Sequence, residues 1–238
     1  MNILSIDTSC DETAVAVTHN TEILSNIVWS QASLHSSFGG VMPSLAQRQH
    51  EERIDWVIQK ALGTRDLALD IDAIAVTIGN GLGIALGVGI NKAKELAIKY
   101  KKPLIPVSHT EAHLLSSFAK PSTISHQPLD ISFPAFGLVL SGGTTVLALI
   151  KNVGVYKILA ETSDDALGEA LDKGARLLGL GYPGGAILEK FAREGNSKKY
   201  KLPLPLQNDV IKNLTTIKEK EELGKNNQQE RTSLCWDN

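Results

Sequence analysis

Apolar and polar positions alternate at the start of the chain in a way that predicts strands. Ile3–Ile6 is a short apolar run, Asp7–Thr13 is a polar turn, and Ala14–Val17 and Ile23–Trp29 are two further β-type runs. Together they read as a strand, hairpin and strand in a meander. From Pro43 to Leu62 the period lengthens to that of a helix, with Leu45, Ile54, Val57, Ile58 and Leu62 apolar and charges between them. Pro43 suits a first helical turn and Gly63 suits its end. Ile71–Ile78 predicts a buried strand, Gly79–Gly83 a loop, Ala85–Tyr100 a helix and Leu104–Val107 another strand. Ser108 is placed to cap a helix over His109–Phe118, with Glu111 at the third position of a capping box.

The opening pattern then recurs. Ala135–Leu140, the turn Ser141–Thr145 and Val146–Ile150 form a second strand–turn–strand, and Val155–Ala160 supplies a third strand. Helices are predicted over Asp165–Leu178 and Gly185–Arg193. Two copies of one pattern imply an internally duplicated, two-lobed α/β fold with a cleft between the halves. The lobes are placed at residues 1–118 and 135–206. Residues 119–134 form the linker, where prolines at 121, 128 and 134 follow those at 103 and 106. Residues 207–238 turn rich in Asn, Gln, Lys and Glu and are expected to be a divergent, disordered tail.

Composition narrows the class. The 238 residues are 42% hydrophobic and 21% charged, enough apolar material for a real core, and the formal net charge of −2 gives no global basic field. Cys10 and Cys235 stand in no metal or redox spacing, which fits a reducing compartment. Met1–Asp7 is neither a signal peptide nor a membrane span, which needs ~20 apolar residues. A cytoplasmic protein with no membrane contact is expected.

Several stretches could carry chemistry. His109 and His113 are spaced i, i+4, which on a helix puts both imidazoles on one face within reach of one metal ion. Spacing alone is weak, because such pairs also arise by chance, and a site needs at least a third ligand. Ser141, Gly142, Gly143, Thr144 and Thr145 could present N–H groups and hydroxyls to a phosphate, or simply be a hairpin turn. Asp11 and Glu12 in the first turn could serve a cation-bridged nucleotide, or be solvated hairpin residues. Asp165, Glu169 and Asp172 share a helix face; they are either a solvated acidic surface or, at Asp172, an acceptor for a ribose or substrate hydroxyl. Gly184 and Gly185 either let a ligand lie on the backbone or make a tight turn. Lys92, Lys94, Lys99, Lys101 and Lys102 are a basic cluster, either a solvated face or a contact for RNA phosphates.

Six motifs in order make a more specific pattern: Ile6–Thr13 (IDTSCDET), Gly39–Ala46 (GGVMPSLA), His109–His113 (HTEAH), Leu140–Gly143 (LSGG), Asp164–Lys173 (DDALGEALDK) and Leu178–Gly185 (LGLGYPGG). Over residues 1 to about 206 the chain resembles the TsaD family, once described as O-sialoglycoprotein endopeptidases. The resemblance implies an actin-like, Hsp70-like (ASKHA) fold with an incomplete second lobe. It also implies transfer of the threonylcarbamoyl group from threonylcarbamoyl-AMP to N6 of adenosine 37 in tRNAs reading codons that begin with A. By the same resemblance His109 and His113 would bind a divalent metal ion, Fe²⁺ first and Zn²⁺ second. Val139, Leu140, Ser141, Gly142 and Gly143 would form the substrate-phosphate loop, and Asp172 and Gly185 would contact the nucleotide. Asp11 and Glu12 match the acidic pair of the first hairpin, with a cleft role. Partners implied are tRNA, a TsaB-like paralogue and a TsaE-like ATPase.

The pattern departs from the family at Thr144, where His or Asn is common. The family also continues past this chain's end, where its third metal ligand, an Asp, and a second Gly-rich loop lie, so the chain reads as C-terminally truncated. Two other readings share the fold: a non-catalytic TsaB-like scaffold, against which the retained histidines argue, and a sugar or acetate kinase, against which the motifs argue. No nucleophilic Ser or Cys signature is present or needed, since the adenosine amine attacks.

Overall fold

The computed structural model describes residues 1–121 and 132–201. The first lobe is built on strands β1 (Asn2–Asp7), β2 (Glu12–His19), β3 (Glu22–Ser30), β4 (Ala73–Gly79), β5 (Leu104–Ser108) and β6 (Lys120–Pro121). They form one sheet in the order β5-β4-β1-β2-β3-β6. The predicted meander is present: β1 and β3 each pair antiparallel with β2. β4 then joins β1 in parallel, with Ile3 opposite Ala73, and β5 joins β4 in parallel. β6 falls inside the predicted linker and pairs with β3 at the sheet edge. The rest of that linker described here begins at Ser132, and the expected tail at 207–238 lies outside the described residues.

Helices α2 (Pro43–Leu62) and α4 (Gly83–Tyr100) cover one face of this sheet. Leu4, Ile6, Val15, Val17, Ile74 and Val76 point toward them, against Ile54, Val57, Ile58, Ala93 and Leu96. Each such side chain contributes roughly 1.5–3 kcal/mol by leaving water. α2 has the predicted bounds, with Pro43 in its first turn and Gly63 at φ 60° ending it. α4 starts two residues earlier than the sequence suggests. Its approach to the first hairpin is close: a Cβ on Gly81 would lie 2.4 Å from the Ser9 carbonyl oxygen. The Thr8 hydroxyl then donates to the Ala85 carbonyl at 2.8 Å. Two single-turn helices, α1 (Ala32–His35) and α3 (Leu67–Asp70), are too short for any periodicity to reveal.

The chain leaves β5 directly into α5 (His109–Leu115), which ends in a 3₁₀ turn rather than continuing to Phe118 as a regular helix. The second lobe repeats the meander as β7 (Ala135–Leu140), β8 (Thr145–Asn152) and β9 (Val155–Glu161), antiparallel in the order β7-β8-β9. Helices α6 (Leu167–Leu177) and α7 (Gly185–Arg193) follow. α6 starts two residues after Asp165, so Asp165 precedes the helix. The meander thus recurs in both lobes, with parallel strands added in the first, which is the duplicated α/β arrangement expected from the sequence.

Candidate functional site

Three parallel strands, β1, β4 and β5, end at the same edge of the first lobe. Ligands in open α/β sheets gather at such carboxyl ends. Asp7 closes β1, Thr77 lies near the end of β4, and His109 follows β5. The three converge. Asp7 Oδ2 is 3.0 Å from His109 Nδ1, and the Thr77 hydroxyl donates to the same oxygen at 2.6 Å. The Ser9 hydroxyl lies 3.1 Å from His109 Nδ1, and the Ser9 N–H donates to Asp7 Oδ1 at 2.8 Å. Burial alone would raise the Asp7 carboxyl, but hydrogen bonds from His109, Thr77 and Ser9 outweigh it and hold the group well below the usual carboxylate range. An ionised Asp7 fixes the proton of His109 on Nδ1 and leaves the Nε2 lone pair facing outward.

That lone pair meets His113. The two Nε2 atoms are 3.1 Å apart, with the rings edge to face at an interplanar angle of 85°. The Ser108 hydroxyl caps α5 by accepting from the Glu111 N–H. The Glu111 carboxylate also accepts from the Tyr156 hydroxyl of the second lobe. Burial and the neighbouring His109 both push the His113 imidazole toward its neutral form. Two imidazoles presenting nitrogens to one point suit a transition-metal cation. Among the described residues no group of three or more His, Cys, Asp or Glu is arranged around a metal position.

The Ser141 turn behaves as a tight hairpin and as a platform. Ser141 N–H donates to the Thr144 carbonyl at 2.8 Å, and Thr144 N–H donates to the Ser141 hydroxyl at 3.0 Å. α6 docks on it: Gly168 N–H reaches the Ser141 carbonyl at 3.1 Å, and Leu167 N–H reaches the Thr145 hydroxyl at 2.8 Å. A Cβ on Gly142 or Gly143 would meet nothing within 4 Å, so the outer side of the turn is open to a ligand. Val139 is buried in the second core and Leu140 is exposed, so both could serve a ligand through their backbone.

Asp172 lies on α6 and receives the start of α7. Its Oδ1 accepts from the N–H groups of Gly184 at 2.8 Å and Gly185 at 2.9 Å. Asp165 and Glu169 are held by Lys173, which settles them as a paired surface. Lys92, from the basic cluster, is likewise paired with Asp55 and Glu95.

The first hairpin sets Asp11 and Glu12 within electrostatic range of Tyr182 of the second lobe. Burial first, then the charge of Asp11, raises the Glu12 carboxyl to about 7. The same causes push the Cys10 thiol up to about 12, which removes it as a nucleophile. Burial and the charges of Asp11, Asp172, Cys10 and Glu12 raise the Tyr182 hydroxyl. Tyr182, part of the motif Leu178–Gly185 but given no role there, thus stands where the acids of both lobes meet.

Behind the hairpin lies a buried network that spacing did not suggest. His50 bonds the Cys10 carbonyl through Nε2 at 3.0 Å and the Thr13 hydroxyl through Nδ1 at 2.8 Å. Gln31 bonds the Ala46 carbonyl, and His35 Nε2 bonds Gln31 Oε1 at 3.1 Å. All four side chains are fully buried. Across the cleft, Arg176 donates to the Gly39 carbonyl at 3.3 Å. A cavity of about 200 Å³ opens on the uncovered sheet face, lined by Ser5, Asp7, Ala14, Ala16, Asn26 and Thr77 among others. Pockets for drug-sized ligands run to roughly 300–1,000 Å³, so this cavity is small for a nucleotide.

Comparison with known proteins identifies relatives of the chain. Residues 22–226 match the family model TsaD, tRNA N6-adenosine threonylcarbamoyltransferase. The match runs past residue 206, where the resemblance was expected to end. A tRNA N6-adenosine threonylcarbamoyltransferase from Persephonella marina is 48% identical over 215 residues, 90% of this chain and 60% of the relative. One from Trichlorobacter lovleyi is 46% identical over 217 residues, 90% of this chain and 61% of the relative. The chain therefore spans about six tenths of the length of these relatives. Among solved structures, the ethanolamine utilization protein EutJ from Carboxydothermus hydrogenoformans aligns with TM-score 0.45 at 13% identity, over 96% of this chain and 73% of that one. YeaZ from Pseudomonas aeruginosa aligns with TM-score 0.43 at 17% identity, over 68% of each chain. With a family model covering most of its length and relatives at nearly half identity, the chain belongs to the TsaD family of tRNA N6-adenosine threonylcarbamoyltransferases.

Proposed function

We propose that this chain carries the threonylcarbamoyl-transfer site, moving the group from threonylcarbamoyl-AMP to N6 of adenosine 37 in tRNAs that read codons beginning with A. The observation that supports it most directly is the convergence of His109 and His113 on one point, with Asp7 orienting His109 from behind. A new C–N bond forms between the adenosine amine and the carbamoyl carbon. The C–O bond to phosphate breaks, AMP departs and the amine loses a proton. AMP is a good leaving group, so positioning supplies much of the rate.

His109 and His113 would hold a divalent cation, Fe²⁺ in the first instance and Zn²⁺ as the alternative. Their 3.1 Å separation fits two ligands of one ion. Nitrogens bound at about 2.0–2.1 Å to one tetrahedral ion stand a little over 3 Å apart, and a carboxylate behind a ligating histidine is the usual support. When bound, such an ion polarises a carbonyl or phosphoryl oxygen. The Ser141 turn would take the phosphate on its open side, and Asp172 and Gly185 would lie against the nucleotide. Glu12, with its carboxyl raised to about 7, is suited to accept the amine proton.

tRNA, a TsaB-like paralogue and a TsaE-like ATPase are the partners this reading requires. No helix among the described residues is long and apolar enough to cross a membrane, and a cytoplasmic location suits the substrate. The test is mass spectrometry of tRNA nucleosides after incubation of the chain with threonylcarbamoyl-AMP and those partners. Modified adenosine that disappears with His109→Ala supports the proposal. Absence of product with the unaltered chain, under conditions where a full-length relative succeeds, refutes it.

A further inference from the structure

The helix that carries the histidines belongs to both lobes. α5 leaves β5 of the first lobe, and its first residue is held there by Asp7 and Ser9. Yet Leu114, near its end, is buried in the second core with Val139, Val146, Ala148, Ile150 and Tyr156. The approach to β7 is close, since a Cβ on Gly137 would lie 2.6 Å from Leu114 Cδ2. Alongside this contact runs a polar one. Tyr156, 1% exposed on β9, donates its hydroxyl to Glu111 Oε1 at 2.6 Å and accepts from the Gly154 N–H at 3.1 Å. A short bond to a carboxylate is about twice as strong as one between neutral groups, and it is directional in a way that Leu114 packing is not.

The periodicity of the helix gives this bond a mechanical meaning. At ~100° per residue, Glu111 and Leu114 share one side of α5, and His109 and His113 lie on nearly the opposite side. Fixing Glu111 therefore fixes the rotation of the histidines about the helix axis. The sheet that does the fixing is the one whose strand β7 runs straight into the Ser141 turn. We infer that Tyr156 and Glu111 are positioning residues, a latch that sets the histidine pair relative to the Ser141 turn across the two lobes. The inference rests on the proposed reading of those two elements as parts of one site.

The test uses the 238-residue chain with Tyr156→Phe, which keeps the ring in the core and removes only the hydroxyl. Imidazole ¹⁵N spectra recorded without metal should show the His109 and His113 signals displaced or broadened, with those of His19 and His50 unmoved. A Co²⁺ titration followed by absorption should show affinity reduced by about tenfold, the lower end for lost outer support of a ligand. Glu111→Leu should reproduce both effects, and Glu111→Gln, which keeps an acceptor oxygen, should be milder than either. Superimposable His109 and His113 signals in wild type and Tyr156→Phe overturn the inference. If Tyr156→Phe loses its fold, Glu111→Leu decides by the same spectra, because Glu111 is only half-buried. If the unaltered chain binds no Co²⁺, the metal reading fails, while the metal-free spectra still decide for or against the latch.

Discussion

Asp7 Oδ2 stands 3.0 Å from His109 Nδ1, a contact between residues 102 positions apart that joins the end of the first strand to the start of the histidine helix. Because it fixes which nitrogen of His109 is free, it turns two nearby imidazoles into a pair of aligned donors.

The metal reading makes a direct prediction. His113→Ala and His109→Ala should each abolish stoichiometric Zn²⁺ or Fe²⁺ binding, read by elemental analysis after dialysis. Asp7→Asn should weaken it by roughly 10–100-fold, because the supporting carboxylate is lost while both ligands remain. Unchanged metal content in either histidine variant would remove the pair as the site.

Asp172 ties the start of α7 to α6 through two N–H groups. Asp172→Ala should lower stability by about 1–2 kcal/mol in urea titrations, the usual cost of losing a side chain that caps backbone donors. Asp172→Asn, which keeps an acceptor oxygen, should retain most of it. Equal losses would mean that charge, and not acceptance, is what matters there.

Gly168 has no room for a side chain: its Cβ would lie 2.7 Å from the Ser141 carbonyl oxygen and 2.8 Å from Gly142 Cα. Gly168→Ala should therefore push α6 off the turn, costing about 1–3 kcal/mol as overpacking does. Nucleotide affinity, measured by calorimetry with a non-hydrolysable analogue of threonylcarbamoyl-AMP, should fall with it. A variant with wild-type affinity would separate the turn from nucleotide binding.

Glu12 gives a pH dependence with a definite sign. Its carboxyl is raised from the ordinary 4.5 to about 7, so the folded chain holds the proton more tightly than the unfolded chain does. The resulting stabilisation is complete below the unfolded value and is lost as pH rises through the folded one. The thermal midpoint of the wild type should fall between about pH 5 and about pH 8, and Glu12→Gln should fall less over the same range. Parallel curves would show that Glu12 does not titrate differently on folding.

The strands and long helices were legible because each repeats a period over enough residues. α2 announces both ends through Pro43 and Gly63. α1, α3 and β6 span four residues or fewer, too few for a period to register. The histidine pair was visible as a spacing and the Ser141 turn as a glycine-rich break between apolar runs. Asp7 was not, because its meaning depends on β1, β4 and β5 ending together, and that follows from pairing between distant strands. Tyr182, and the tie between Glu111 and Tyr156, depend likewise on one lobe meeting the other. The buried His35 and His50 were hidden for another reason. His35 lies on the four-residue α1, too short for a period, and His50 is a polar residue whose place on the buried face of α2 shows only when that helix packs on the hairpin.

The parallel pairing of β1 with β4 also imposes an order on synthesis. β1 can close its hairpin with β2 as soon as both have left the ribosome, since Asp7 and Ala14 are near neighbours in sequence. Its other edge waits for Ala73–Val76, some seventy residues later, with β2, β3 and α2 made in between. Loop closure over that distance is entropically costly, and its reward comes only when the strand and the helices that cover it are all present. The nascent chain therefore passes through a stage in which a three-stranded meander exposes one edge of its first strand. Asp7 stands at the end of that edge, so the carboxylate that later orients His109 waits unpartnered by it until residue 109 emerges.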